Sequence, residues 1–183
     1  MIKSARSFFI AVDICDREII DQITKFQVEL VKERFAEIQL MKDYHITLNF
    51  LGKLKWKDVD KIRSDLERIR IGSFYVTLQG VKYFPSEKLP IRVLWINVES
   101  SKLYSLVEEI CKITSECYEE NIPHVTIARV RKIFDFENLK EFIEKFKDYY
   151  FGRFRVRSFK LKANLGRSRV DRKYVDIQEY SLL

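Results

Sequence analysis

Cysteine is too sparse to staple this chain. Cys15, Cys111 and Cys117 are an odd number of thiols with no CxxC spacing. That argues against a disulfide framework or a zinc site and predicts unpaired, buried thiols in a reducing compartment. Long apolar runs are missing as well, and nothing approaches the roughly 20 residues of a membrane-spanning helix. The apolar run 8–12 ends at Asp13 without a signal-peptide cleavage pattern, so the expectation is a soluble, cytoplasmic protein. Glycine is scarce, with 5 residues, and of 3 prolines two fall in the stretch 82–90. That stretch reads as a linker. No sequence around a Ser or Cys has the signature of a triad nucleophile.

What is present is a large apolar and charged inventory. Hydrophobic residues are 46% of the 183 positions and charged residues 33%. A chain of this length makes one domain or two tightly packed halves. The net charge of +7 suits a polyanionic partner without requiring one.

The rarest side chains are also the most ordered. The chain has two histidines, and both stand in the frame His, apolar, Thr, apolar: His45-Ile46-Thr47-Leu48 and His124-Val125-Thr126-Ile127. Around the first, Ile46, Leu48 and Phe50 alternate with His45, Thr47 and Asn49, the period of a strand with one buried face. Residues two apart on a strand point the same way, about 6.5–7 Å apart, so each imidazole carries a hydroxyl beside it.

Periodicity predicts strands over 7–12, 74–81, 91–98, 153–161 and 173–179, besides the two His strands. Helices are predicted over 16–35, 57–69, 101–118 and 136–147. Strand, helix, His strand, helix, strand occurs twice, with the histidines 79 residues apart, which is a duplication rather than a solenoid. The expected fold is α+β, a single domain 1–183 of two pseudo-symmetric lobes, about 1–81 and 91–183, joined by 82–90. Two antiparallel sheets would face a central groove with helices outside. A duplicated fold completes its own groove, so a monomer is expected.

Two imidazoles across a groove suit in-line displacement at phosphorus. Their ordinary pKa near 6.5 lets one be protonated near neutral pH while the other is not. One would take a proton from the nucleophile and the other give one to the leaving group, each worth about 10²–10⁴-fold. Thr47 and Thr126 would donate to the non-bridging oxygens as charge builds. A strained cyclic phosphate needs no metal, and neither His strand offers a nearby carboxylate to complete a two-His metal site. No cofactor is expected.

These motifs, with Phe8-Phe9-Ile10-Ala11-Val12-Asp13, Leu51-Gly52, Phe84-Pro85, Arg92-Val93-Leu94-Trp95 and Pro123 to Arg129, resemble the RNA 2′,3′-cyclic phosphodiesterases. These are also called 2′-5′ RNA ligases, of the ThpR/LigT type, within the two-histidine phosphoesterase superfamily. The resemblance implies a bilobed α+β fold and metal-independent hydrolysis of RNA 2′,3′-cyclic phosphate ends to 2′-phosphate ends. It also implies reverse 2′-5′ ligation, with tRNA halves among the candidate substrates. It assigns His45 as proton donor and His124 as proton acceptor, a polarity that the residues alone do not fix.

Arg129 follows the second motif and could hold phosphate bidentately, although an unbroken strand would turn it away from His124. Phe84 could stack on a nucleobase or belong to the core. Arg92, Arg167 and Arg169 are candidates for backbone contacts. Tyr149, Tyr150 and Phe151 read as packing at a helix end. The alternative reading is a nucleotide- or RNA-binding module that keeps the pocket without turnover.

Overall fold

Alternating apolar residues and amphipathic stripes set the elements of the computed structural model. It describes residues 5, 7–85, 90–114, 122–166 and 173–183. The strands are β1 (Ser7–Asp13), β2 (Ala36–Leu40), β3 (His45–Gly52), β4 (Phe74–Phe84), β5 (Val93–Glu99), β6 (His124–Ile133), β7 (Tyr150–Val156), β8 (Ser158–Asn164) and β9 (Tyr174–Ser181). The helices are α1 (Arg17–Lys32), α2 (Trp56–Leu66), α3 (Ser101–Thr114) and α4 (Phe136–Lys145). The Asp16 carboxylate caps α1 by accepting from the Ile19 N–H at 3.2 Å, and Asp135 does the same for α4 through Asn138. Each such cap contributes about 1 kcal/mol.

All nine strands belong to one antiparallel sheet, ordered β7-β4-β5-β6-β3-β1-β8-β9, with β2 also on β6. This corrects the expectation of two separate sheets. The halves of the sheet meet where β3 and β6 overlap at their first residues, joined by the single pair Ile46 with Val125. Beyond that pair the strands diverge, and β2 takes over the edge of β6 from Ala128 to Ile133. The strands also trade places. β4, from the N-terminal part of the chain, pairs with β5 and β7, while β8 pairs with β1.

One face of the sheet is covered by helices. Ile19, Ile23, Phe26 and Leu30 of α1, Leu103, Leu106 and Ile110 of α3, and Leu139, Phe142 and Ile143 of α4 join Ile10, Ile46, Leu48, Val125 and Ile127 in the core. Burying each such side chain stabilises the fold by about 1.5–3 kcal/mol. Gly80 lies at a register shift of β4 with φ +82°, and a Cβ there would collide with the Lys147 carbonyl. The opposite face of the sheet carries both histidines.

Several boundaries differ from the sequence reading. α1 stops at Lys32, short of the predicted end at 35, and 36–40, for which no element is predicted, form β2. The predicted strand 153–161 is two strands that turn at Arg157. Residues 82–84 of the expected linker belong to β4, and 86–89 lie outside the described residues. Cys15 is a free, exposed thiol, but Cys111 on α3 is disulfide-bonded. That corrects the expectation of unpaired, buried thiols: an odd count still leaves room for one bridge. Among the described residues no helix is long and apolar enough to cross a membrane.

Candidate active site

The pairing of Ile46 with Val125 decides where the histidines point. Paired residues of an antiparallel ladder share a face, and their neighbours take the other. Ile46 and Val125 are fully buried against the helices. His45, Thr47, His124 and Thr126 therefore all emerge on the opposite, concave face. Extending the register sets His45 across from Thr126 and Thr47 across from His124.

Both His strands then break step at the same place. Ile10 pairs with Asn49 and Ala11 with Thr47, leaving Leu48 as an extra residue. Leu94 pairs with Ala128 and Trp95 with Thr126, leaving Ile127 extra. The fourth residue of each motif is thus a β-bulge, which reverses the parity beyond it. The burial pattern follows, with two consecutive buried residues in each strand, Leu48-Asn49 and Ile127-Ala128. The fifth residue after each histidine returns to the concave face: Phe50, 47% exposed, and Arg129. Alternation alone turned Arg129 away, and the bulge brings it back. Its charge helps to lower the pKa of His124.

His45 is enclosed by rings and charges. Its imidazole lies 5.3 Å from the rings of Phe9 and Tyr174. Asp13 pairs with it across the β1–β3 ladder. The Lys162 ammonium donates to both Asp13 oxygens at 2.8 and 2.9 Å and lies 2.7 Å from Asp176. Lys160 bridges the same two carboxylates at 3.0 and 2.7 Å. These carboxylates reach the site from β1 and β9, so reasoning along the His strands alone missed Asp13. A cavity of about 250 Å³ is lined by Asp13, Asp43, Tyr44, His45, Lys162 and Tyr174, among others. Burial, then the Lys162 charge, lowers the His45 pKa to about 4, against the opposing pull of Asp13 and a hydrogen bond to the Asp43 backbone.

His124 stands in an aromatic corner. Phe84 stacks on Trp95 with centroids 4.7 Å apart, and His124 meets them edge-on at 5.3 and 5.5 Å. Phe84 therefore packs and also lines the site. Nothing in the sequence singled out Trp95 beyond its place in the resemblance. It is 4% exposed, and among the described residues its Nε1–H has no hydrogen-bond partner. His124 Nδ1 lies 2.7 Å from the Ile122 carbonyl. That contact requires the Nδ1–H tautomer of a neutral ring and leaves the Nε2 lone pair free to accept a proton. Burial is the main cause of a lowered His124 pKa. Both rings are therefore neutral near pH 7 in the free protein, unlike the sequence-based expectation of one charged ring.

Neither threonine hydroxyl is engaged by a hydrogen bond among the described residues. Gln27 of α1 ties the halves together. Its amide donates to the carbonyls of Met41 and Ile127 at 2.9 and 2.8 Å and accepts from the Tyr44 hydroxyl at 3.0 Å. It thereby holds the segment before His45 to the bulge of β6. Arg92 stands one residue before β5, exposed, on the parity opposite to Val93 and Trp95, so the register does not bring it to the histidines. Arg167 and Arg169 lie outside the described residues. Among the described residues no group of three or more His, Cys, Asp or Glu could hold a metal ion.

The chain resembles known proteins along nearly its whole length. It is 34% identical over 158 residues to an RNA 2′,3′-cyclic phosphodiesterase of Methanocaldococcus jannaschii, covering 84% of this chain and 88% of the relative. It is 28% identical over 162 residues to an RNA 2′,3′-cyclic phosphodiesterase of Archaeoglobus fulgidus, covering 86% and 90%. Escherichia coli LigT in its apo form has the same fold, with a TM-score of 0.77 at 18% identity, covering 98% of this chain and 99% of LigT. The family model described as the AKAP7 2′5′ RNA ligase-like domain matches residues 6–182. This chain, with its two His-x-Thr strands on one concave face, thus belongs to the AKAP7 2′5′ RNA ligase-like family of two-histidine phosphoesterases.

Proposed function

We propose that the chain hydrolyses RNA 2′,3′-cyclic phosphate ends to 2′-phosphate ends by general acid–base catalysis between His45 and His124. One observation supports the reading above the others: the Ile46–Val125 pair, whose register puts His45, Thr47, His124 and Thr126 on the same face of the sheet. Relatives named for this reaction cover most of the chain.

In this mechanism His124 Nε2 accepts a proton from water as the water oxygen bonds to phosphorus. The P–O3′ bond breaks on the opposite side, and His45 gives its proton to the departing 3′-oxygen. The product carries a 2′-monoester and a 3′-hydroxyl. Thr47 and Thr126 donate to the non-bridging oxygens, and Arg129 neutralises their growing charge. The ring strain of the five-membered ester supplies activation that an unstrained diester lacks. A 5′-hydroxyl in the place of water would yield a 2′-5′ linkage through the same groups.

The donor must first acquire its proton. With a pKa of about 4, His45 is neutral until an anionic ligand arrives beside it. The phosphate charge favours the imidazolium, so substrate binding and protonation of the acid are coupled. The deciding experiment incubates the protein, in excess EDTA, with an oligoribonucleotide ending in a 2′,3′-cyclic phosphate. The expected product is the 2′-monoester. A 3′-monoester, or binding of a 2′-phosphorylated nucleotide without turnover, would overturn the proposal.

A further inference from the structure

Beside the His45 cavity, and sharing Asp13 and Cys15 with it, lies a second cleft of about 500 Å³ where β7 turns into β8. Its walls include Tyr75 of β4, Arg153 and Arg155 of β7, Arg157 of the turn, and Ser158 and Lys160 of β8. Arg153 and Arg155 alternate along β7, so they share a face at a pitch of about 6.5 Å, close to the repeat of an extended nucleotide chain, and Arg157 follows at the turn. The ladder places this face on the concave side. Thr77 pairs with both Arg153 and Glu99, and Glu99 continues the parity of Asn97, the partner of His124.

The charges of this cleft are not balanced internally. Asp13 is held by Lys160 and Lys162, Glu179 accepts from the Ser158 hydroxyl at 2.5 Å, and Asp16 caps α1. Arg153, Arg155 and Arg157 are exposed, and among the described residues none of them makes an ion pair. Among the described residues Arg155 donates to the neutral Ser73 hydroxyl. Arg153 lies over the Tyr75 ring at 4.5 Å, and that ring is 52% exposed. Guanidinium groups without an ion pair among the described residues, next to a half-exposed aromatic ring, form a pattern that can hold single strands by phosphate neutralisation and stacking.

We propose that this cleft binds the single-stranded RNA chain on the 5′ side of the cyclic phosphate, with Arg153, Arg155 and Arg157 on successive backbone phosphates and Tyr75 against a base. The inference rests on the function proposed above. It makes the preferred substrate an oligonucleotide end rather than a free cyclic nucleotide.

The test uses a triple variant, Arg153→Ala with Arg155→Ala and Arg157→Ala, and the single variant Tyr75→Ala, each verified as folded by its thermal transition. Turnover is compared on adenosine 2′,3′-cyclic phosphate and on an eight-nucleotide RNA with a 2′,3′-cyclic end. For the triple variant, KM for the RNA is expected to rise at least tenfold, with turnover of the mononucleotide unchanged. The slope of log affinity against log salt should fall by about 2, at about 0.7 for each phosphate no longer neutralised. Tyr75→Ala should weaken the RNA roughly tenfold. Equal losses on both substrates, or no change on the RNA, overturn the proposal. Binding of the same RNA with a plain 3′-hydroxyl end, read by fluorescence anisotropy, tests the cleft apart from catalysis. If the wild-type protein turns over neither substrate, the hydrolase reading fails, and this binding loss or its absence still decides the cleft.

Discussion

β3 and β6 present the same motif with the same bulge, yet equivalent positions around them differ in chemistry. The neighbour across the ladder is Asp13 for His45 and Asn97 for His124. The neighbour of the threonine is Ala11 on one side and Trp95 on the other. One strand further out, Lys162 stands where the second half has Phe84. Each imidazole meets two aromatic rings, but His45 also has the alternating charges of Asp13, Lys160, Lys162 and Asp176 close by. The repeated motif sets both imidazoles on one face of the sheet, and their neighbours differ in a way that fits the proposed division into acid and base. His124 has an apolar corner and a fixed tautomer, which suit an acceptor. His45 has carboxylates and ammonium groups close by, which suit a group that must gain a proton when an anion binds.

The comparison breaks most visibly at the histidines. His45→Ala and His124→Ala should each lower kcat by about 10²–10⁴-fold, read as initial rates on a cyclic-ended RNA in EDTA. Full activity in either variant means that the rings are not partners. The two fifth positions come next. Arg129→Ala should cost about tenfold to a hundredfold in kcat/KM by removing a charge-assisted hydrogen bond to phosphate, and Phe50→Ala clearly less. Equal effects would mean that the bulges serve packing alone.

Gln27→Ala removes the hydrogen bonds to the Tyr44 hydroxyl and to the Met41 and Ile127 carbonyls, although the Ile127 carbonyl keeps the Met41 N–H. It should cost about 1–3 kcal/mol of unfolding free energy, measured by urea denaturation. The smallest effect is on pH. The His45 pKa near 4 and a His124 pKa below its ordinary 6.5 place the kcat/KM bell of the free protein on the acid side of pH 6.5. Lys162→Met removes a charge that lowers His45 and leaves the opposing pull of Asp13, so the limb set by His45 should move up in pH. A bell centred above pH 7, or one unmoved by Lys162→Met, contradicts the assignment.

The two His strands were legible because their signal is local. Alternation and a repeated four-residue frame predict a strand, its exposed face and its chemistry. What surrounds them was not legible, because it arrives from distant strands. Asp13, Lys162 and Tyr174 meet His45 through ladders that no spacing encodes. Arg129 shows the limit of parity arguments: an unbroken strand points it away, and one extra residue at Ile127 turns it back. The apolar and charged residues at 16–35 favoured one long helix, but β2 forms at its end because the edge of β6 is open to pairing there. Gln27 was hidden for a related reason. A polar side chain at the margin of an apolar stripe reads as solvent-facing until its carbonyl partners are known.

The exchange of β4 for β8 has a consequence for how such a molecule can be divided. Each imidazole is encoded in a different half of the gene, but each half of the sheet borrows strands from the other. Cleaving the backbone between Pro85 and Pro90 would give fragments with one histidine each, and neither fragment could finish its own scaffold. Activity would be expected to return only as the fragments fold around each other, each supplying strands to the other's part of the sheet.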